Sequence, residues 1–85
     1  MLRIELGNPA KRFLKKCDKN LYERLISEIK LLSNNSFPQD VKRVVGRKEK
    51  VFRVRIGDYR ITYIVVYEQN IILIADIDKR SKIYD

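Results

Sequence analysis

Three arginines and a threonine alternate around one Gly-Asp pair: Arg53 and Arg55 before Gly57-Asp58, Arg60 and Thr62 after it. If Gly57-Asp58 is a two-residue hairpin loop, Ile56 faces Tyr59, Arg55 faces Arg60, Val54 faces Ile61 and Arg53 faces Thr62. Side chains on a strand alternate faces, so Arg53, Arg55, Arg60 and Thr62 share one face. Phe52, Val54, Ile56, Tyr59, Ile61 and Tyr63 share the other. Two arginines directly opposite each other destabilise a sheet by up to ~1 kcal/mol. An anion between them removes that cost, and the planar, permanently charged guanidinium fork matches phosphate oxygens. The chemistry open to this face is phosphate binding and stabilisation of charge on a phosphoryl group. A structural reading stands beside it, in which Asp76 or Asp78 on a neighbouring strand neutralises the pair as a salt-bridge ladder.

More positive charge flanks the hairpin. Lys42, Arg43, Arg47, Lys48 and Lys50 precede it, and Lys79, Arg80 and Lys82 follow. The formal net charge of +8 favours polyanionic partners, nucleic acid or an acidic protein segment. Each cation that neutralises a phosphate adds affinity that is independent of sequence and falls with salt. Tyr84 lies just beyond; an exposed tyrosine beside a phosphate site stacks on a base or moves a proton, and the same residue can equally latch the C-terminus to the core. Tyr22, Tyr59, Tyr63 and Tyr67 read as packing residues.

Histidine is absent and Cys17 is the single cysteine. The commonest metal ligand and general base is therefore missing, and neither an intrachain disulfide nor a cysteine cluster can form. No metal and no cofactor are expected. Cys17 falls on an apolar helical stripe and reads as a structural thiol, not a nucleophile. No apolar run approaches the ~20 residues of a membrane span. The opening Met1-Leu2-Arg3-Ile4-Glu5 lacks a signal-peptide layout, so no membrane association and a cytoplasmic location are expected.

Positioning the arginines requires a sheet and something to cover its other face. With 45% hydrophobic residues, the 85-residue chain can bury one core, and a single domain spanning 1–85 is expected. Leu2, Ile4 and Leu6 alternate with Arg3 and Glu5, as in a half-buried strand. Asn8-Pro9 reads as an N-cap and first helical residue, followed by an apolar stripe of Ala10, Phe13, Leu14 and Cys17. Asp18-Lys19-Asn20 reads as a tight turn. Leu21, Leu25, Ile29 and Leu32 then mark a second helix to about Ser33, which Asn34-Asn35-Ser36 and Pro38 terminate. Lys42–Val45 is expected as a short strand. Val51–Ile56, Tyr59–Tyr67 and Ile71–Ile77 are expected as longer ones, with Glu68-Gln69-Asn70 as a hairpin loop. Glycine in the first loop position makes Gly57-Asp58 a type II′ turn. The fold class is α+β, in the order β-α-α-β-β-β-β, with an antiparallel sheet and an N-terminal helical hairpin on one face.

The run Val51-Phe52-Arg53-Val54-Arg55-Ile56-Gly57-Asp58-Tyr59-Arg60-Ile61-Thr62-Tyr63 resembles the central signature of the RelE/ParE toxin superfamily. Asp78-Lys79-Arg80-Ser81-Lys82-Ile83-Tyr84 resembles its terminal segment, and Val44-Val45-Gly46 the short apolar-Gly element before the hairpin. The element order also matches, over essentially the whole chain. RelE-like members are ribosome-dependent mRNA endoribonucleases that cut the A-site codon by attack of a ribose 2′-hydroxyl on the adjacent phosphate. The resemblance implies that role here, as the toxin of a type II toxin–antitoxin system. Arg60 would match the transition-state arginine, Arg80 the arginine near the leaving 5′-oxygen and Tyr84 the catalytic tyrosine. Arg53 and Arg55, with Arg47, Lys48, Lys50, Lys79 and Lys82, would bind RNA.

Arg53 and Arg55 stand where well-known members carry lysines. An arginine does not lose its proton, so the pair stabilises charge without acting as a base. Proton handling then falls to Tyr84 or to Lys48, Lys50 or Lys82. Asp78 stands where many members carry glycine, and the sequence ends at Asp85 where several continue into a further helix. The partners implied are the ribosome, mRNA and an acidic RelB-like antitoxin, in a toxin–antitoxin hetero-oligomer. The alternative within the same fold is a non-cleaving, ParE-like module that inhibits a topoisomerase or blocks the ribosome.

Overall fold

The computed structural model describes residues 1–36, 42–43 and 51–79. The elements are β1 (Arg3–Leu6), α1 (Asn8–Lys16), α2 (Lys19–Asn34), β2 (Lys42–Arg43), β3 (Val51–Ile56), β4 (Tyr59–Val66) and β5 (Ile71–Lys79), with a 3-10 turn at Tyr67–Gln69. The expected α+β order is observed. Of the expected Lys42–Val45 strand, Lys42–Arg43 forms β2, and Val44 and Val45 lie outside the described residues.

The strand order in the sheet is β1-β5-β4-β3-β2. Pairing is antiparallel from β2 to β5, as expected. β1 departs from the expectation of an all-antiparallel sheet: it joins parallel to β5, with Arg3 opposite Ile71 and Leu6 opposite Ile74. The sheet is therefore mixed. The exit of β1 explains this, because the Gly7 N–H donates to the Ile74 carbonyl at 2.8 Å and carries the chain alongside β5 into α1. A Cβ at Gly7 would sit 3.2 Å from the Ala75 carbonyl oxygen, so glycine permits this close approach.

The helix boundaries shift by a residue or two. Gly7, not Asn8, is the N-cap of α1, and Pro9 lies in its first turn. Asp18 does not open a free turn. Its side chain accepts from the Leu21 N–H at 2.8 Å and caps α2, which starts at Lys19.

Both helices turn apolar stripes onto the sheet. Ala10, Leu14, Leu25, Ile29 and Leu32 meet Val54, Ile61, Tyr63, Ile72, Ile74 and Ile77 in one buried cluster. Burying each large aliphatic side chain contributes about 1.5–3 kcal/mol, which fixes which sheet face is covered. The Tyr63 hydroxyl is satisfied within this core by donating to the Ser36 carbonyl.

Candidate nucleic-acid interface

The β3–β4 hairpin has the register expected from its turn. Ile56 pairs with Tyr59, Arg55 with Arg60, Val54 with Ile61 and Arg53 with Thr62. Gly57 adopts φ +58° and Asp58 does not have positive φ, as a type II′ loop requires. Val54, Ile61 and Tyr63 are buried under the helices, with Phe52 and Ile56 packed at the margin. Arg53, Arg55, Arg60 and Thr62 consequently share the face that the helices leave open.

Asp78 decides the electrostatics of that face. It lies opposite Arg60 across the β4–β5 ladder. Its carboxylate accepts from Arg60 Nε at 3.3 Å and from Nη2 at 3.2 Å. This fork offsets the repulsion between Arg55 and Arg60. The ladder reading and the phosphate reading are thus both partly realised: one arginine is held by a carboxylate, while Arg55 is exposed and Arg53 half-buried. Among the described residues, neither Arg53 nor Arg55 makes an ion pair. The Arg60–Asp78 pair is itself open to solvent on the carboxylate side, with side-chain exposures of 17% and 47%. Solvent screening on the carboxylate side limits the pair to roughly 1 kcal/mol.

A bulge in β5 builds the acidic flank. Thr62 pairs with Asp76 but Tyr63 pairs with Ile74, leaving Ala75 as the extra residue. Asp76 and Asp78 therefore lie on the open face beside Thr62 and Arg60, while Ile74 and Ile77 both reach the core. Strict alternation along β5 would have put Ile74 with the two aspartates. Period-two reading of the sequence misses this bulge; the signal available was the pair of isoleucines separated by an odd spacing.

Lys79 is exposed at the end of β5, opposite Tyr59. The remaining expected site residues, Arg47, Lys48, Lys50, Arg80, Lys82 and Tyr84, lie outside the described residues. The geometry thus brings together Arg53, Arg55 and Arg60 of the expected set. What these three can do is bind a phosphate and stabilise its negative charge without proton transfer. No helix among the described residues is long and apolar enough to cross a membrane. None of those residues forms a cluster of three or more histidine, cysteine or acidic side chains able to hold a metal.

The chain belongs to the family of ParE toxins of type II toxin–antitoxin systems, whose model matches residues 4–84. It is 32% identical over 84 residues to the Methanocaldococcus jannaschii toxin RelE1, covering 95% of this chain and 92% of that one. The toxin–antitoxin complex of archaeal RelE and RelB from Pyrococcus horikoshii OT3 contains a chain superposing with a TM-score of 0.82 at 25% identity. The match spans 95% of this chain and 97% of that one. Isolated Escherichia coli RelE has the same fold, with a TM-score of 0.82 at 13% identity over 99% and 89% of the two chains. The protein is thus a type II toxin of the RelE/ParE kind.

Proposed function

We propose that this toxin, taken as one domain over 1–85, is a ribosome-dependent mRNA endoribonuclease that is held inactive by an acidic antitoxin in a hetero-oligomer. The observation that carries the reading is the grouping of Arg53, Arg55 and Arg60 on an open sheet face, where Arg55 is exposed and Arg60 is held by a partly exposed carboxylate. In the reaction, the 2′-oxygen of a ribose bonds to the adjacent phosphorus and the P–O5′ bond breaks. The 2′-hydroxyl proton is taken up and the 5′-oxygen receives one. Arg60, with Arg53 and Arg55 beside it, stabilises the charge that develops on the phosphoryl oxygens. Arg80 would neutralise the leaving 5′-oxygen and Tyr84 would handle a proton, with Lys48, Lys50 or Lys82 as the other candidates. Arg47, Lys48, Lys50 and Lys82 would bind the RNA backbone, whereas Lys79, expected in the same role, is in register with Tyr59 on the helix side and stands apart from the arginine face. The relatives crystallised with RelB support the antitoxin as partner. The test is expression of the toxin without its antitoxin and mapping of mRNA 5′ ends on ribosomes. New ends at A-site codons are expected.

One observation favours a second reading. Asp78 occupies the fork of Arg60, and the family model is that of ParE toxins. A non-cleaving toxin that inhibits a topoisomerase or blocks the ribosome would need no unpaired arginine. Growth arrest without new mRNA ends, accompanied by loss of DNA supercoiling activity, would favour it.

A further inference from the structure

β1 is an edge strand of the sheet, with β5 on one side of it. Three hydrogen bonds show which way its backbone groups point. The Arg3 and Gly7 N–H groups donate to the Asn70 and Ile74 carbonyls, at 2.8 Å each. In a parallel ladder alternate residues turn their backbone groups toward the neighbour, so Leu2, Ile4 and Leu6 turn theirs outward. Leu2 follows this rule: its N–H donates away from the sheet to the Ser33 carbonyl of α2, at 2.9 Å. Among the described residues, no acceptor meets the outward N–H of Ile4 or of Leu6.

An unpaired row of N–H groups is a template for another strand, and charge on the edge normally discourages pairing. Here the charges are Arg3 and Glu5, of opposite sign, while Leu2, Ile4 and Leu6 pack against the margin of the core. Within the chain, Arg3 Nε and Glu5 Oε2 stand 3.6 Å apart, with side-chain exposures of 68% and 51%. Ions so exposed exchange partners freely. The order Leu2-Arg3-Ile4-Glu5-Leu6 is its own complement when read antiparallel. With Ile4 opposite Ile4 of a second copy, Leu2 falls opposite Leu6 and Arg3 opposite Glu5, twice by symmetry. Sliding the pairing by two residues in either direction sets Arg3 against Arg3 or Glu5 against Glu5, and sliding by one turns an apolar face outward. Charge and burial therefore select a single register.

We propose that the β1 edge is a self-association surface, on which a second copy of this chain adds antiparallel and joins two five-stranded sheets into one. The backbone agrees with this register. Ile4 exchanges N–H···O=C bonds with its counterpart at the two-fold axis, and each Leu6 N–H reaches the Leu2 carbonyl of the other copy. Arg3 and Glu5 then occupy the non-hydrogen-bonded positions, where facing side chains come closest. The two-fold axis stands perpendicular to the sheet, so both helical hairpins lie on one side and both sets of Arg53, Arg55 and Arg60 on the other. Because β5 separates β1 from β4, the arginines stay uncovered. The interface does not depend on whether the toxin cuts RNA.

The test is sedimentation velocity of the full chain over a concentration series at low salt. A monomer–dimer equilibrium is expected. Arg3→Glu sets like charges opposite each other at both symmetric positions and should weaken association about tenfold or more, as should Glu5→Arg. The two substitutions combined restore opposite charges in reversed order and should restore association. Both positions are exposed, so the thermal midpoint should hold in all three variants. Hydrogen exchange supplies the second readout. Exchange at the Ile4 and Leu6 amides should slow as concentration rises, while the Leu2 amide, already bonded to Ser33, should not respond. A monomer at every concentration up to about 1 mM would overturn the proposal. A dimer indifferent to the single reversals, or not rescued by the double reversal, would place the contact elsewhere and overturn it as well. So would exchange at Ile4 that ignores concentration. None of these readouts depends on cleavage, so failure of the endoribonuclease reading would show separately.

Discussion

The open face of the β3–β4 hairpin and the free edge of β1 belong to one sheet but carry different charge patterns. On the open face, three arginines project from a pleated surface, and a carboxylate lies in register with one of them. At the edge, one arginine and one glutamate stand on either side of an isoleucine. Planar guanidinium forks grouped on one surface favour phosphate geometry, whereas opposite charges two residues apart on an edge strand complement a second copy of themselves. Net charge alone assigns both regions to a polyanion without distinguishing nucleic acid from an acidic protein segment. The order of the charges separates them.

The largest effect that would test this separation is on catalysis. Arg60→Ala removes a donor aimed at charge that develops in the reaction, and such a loss typically costs ~10²–10³ in rate. The fold should survive, because the side chain lies on the uncovered face. Single-turnover cleavage of ribosome-bound mRNA should fall by that factor, while self-association stays unchanged. Equal losses in both assays would merge the two regions into one site. Unchanged cleavage would leave the arginine face as a binding surface only.

Gly57→Ala should affect the open face and spare the edge. Gly57 has φ +58°, and a Cβ there would stand 3.0 Å from Nη2 of Arg24. An L-residue in that conformation costs about 1–2 kcal/mol, and Arg24 must move in addition. The thermal midpoint should drop by several degrees, roughly 4–8 °C per kcal/mol for a domain of this size. RNA affinity should weaken if the turn relaxes, because Arg55 and Arg60 flank it, whereas self-association should persist, because β1 pairs with residues 71–74 of β5, away from the turn. A drop in stability with RNA affinity intact would show that the register is held by strand pairing and core contacts instead of the turn.

Much of the open face was legible because it obeys two simple rules. A glycine with positive φ fixed the loop length, and period-two alternation then placed Arg53, Arg55 and Arg60 opposite the core residues Val54, Ile61 and Tyr63. The seat of α1 was not legible, because its contacts join residues far apart in sequence. Phe13 and Tyr59 are both readable as packing residues, but their meeting depends on how α1 lies across the sheet. Asp18 was readable as a turn former, yet its role is to cap α2. The β5 bulge and the parallel entry of β1 are likewise tertiary outcomes, set by the need to bury both Ile74 and Ile77 and by the close approach at Gly7. Strict period-two reading misses both, and the odd spacing of Ile74 and Ile77 is the local trace that the bulge leaves in the sequence.

Asp78→Asn sharpens the open face. The substitution removes the charge that competes with phosphate for the Arg60 fork and keeps a hydrogen-bond acceptor in place. RNA affinity at low salt should rise about two- to fivefold, the range of a partly exposed ion pair. Freeing one more cation should also steepen the dependence of log affinity on log salt by roughly 0.7 for a single strand. Self-association should not change. Weaker RNA binding would mean that Asp78 serves to aim Arg60, so that the ion pair is part of the site and not a competitor for it.

Asp18→Asn is the smallest and most selective change, because it separates two roles of one residue. Asparagine caps helices about as well as aspartate, so the bond to the Leu21 N–H and the stability of α2 should persist within a few tenths of a kcal/mol. The charge beside Cys17, however, is gone. RNA affinity and self-association should not change, because Asp18 shares its surroundings with Lys79, on the helix side and at the end of β5 that β1 does not reach. The change has a built-in reporter in Cys17. Burial, and secondarily the negative charge of Asp18, push its thiol above the ordinary cysteine value. Both causes disfavour the thiolate, so removing the second should move the inflection of the alkylation–pH profile downward and speed alkylation at a fixed pH below it. Burial remains, so the inflection should stay above that of an exposed thiol. An unmoved inflection would show that burial alone holds the thiol up. A change in self-association would show that the cap of α2 is felt at the β1 edge, through the Ser33 carbonyl near the other end of the helix that holds the Leu2 N–H.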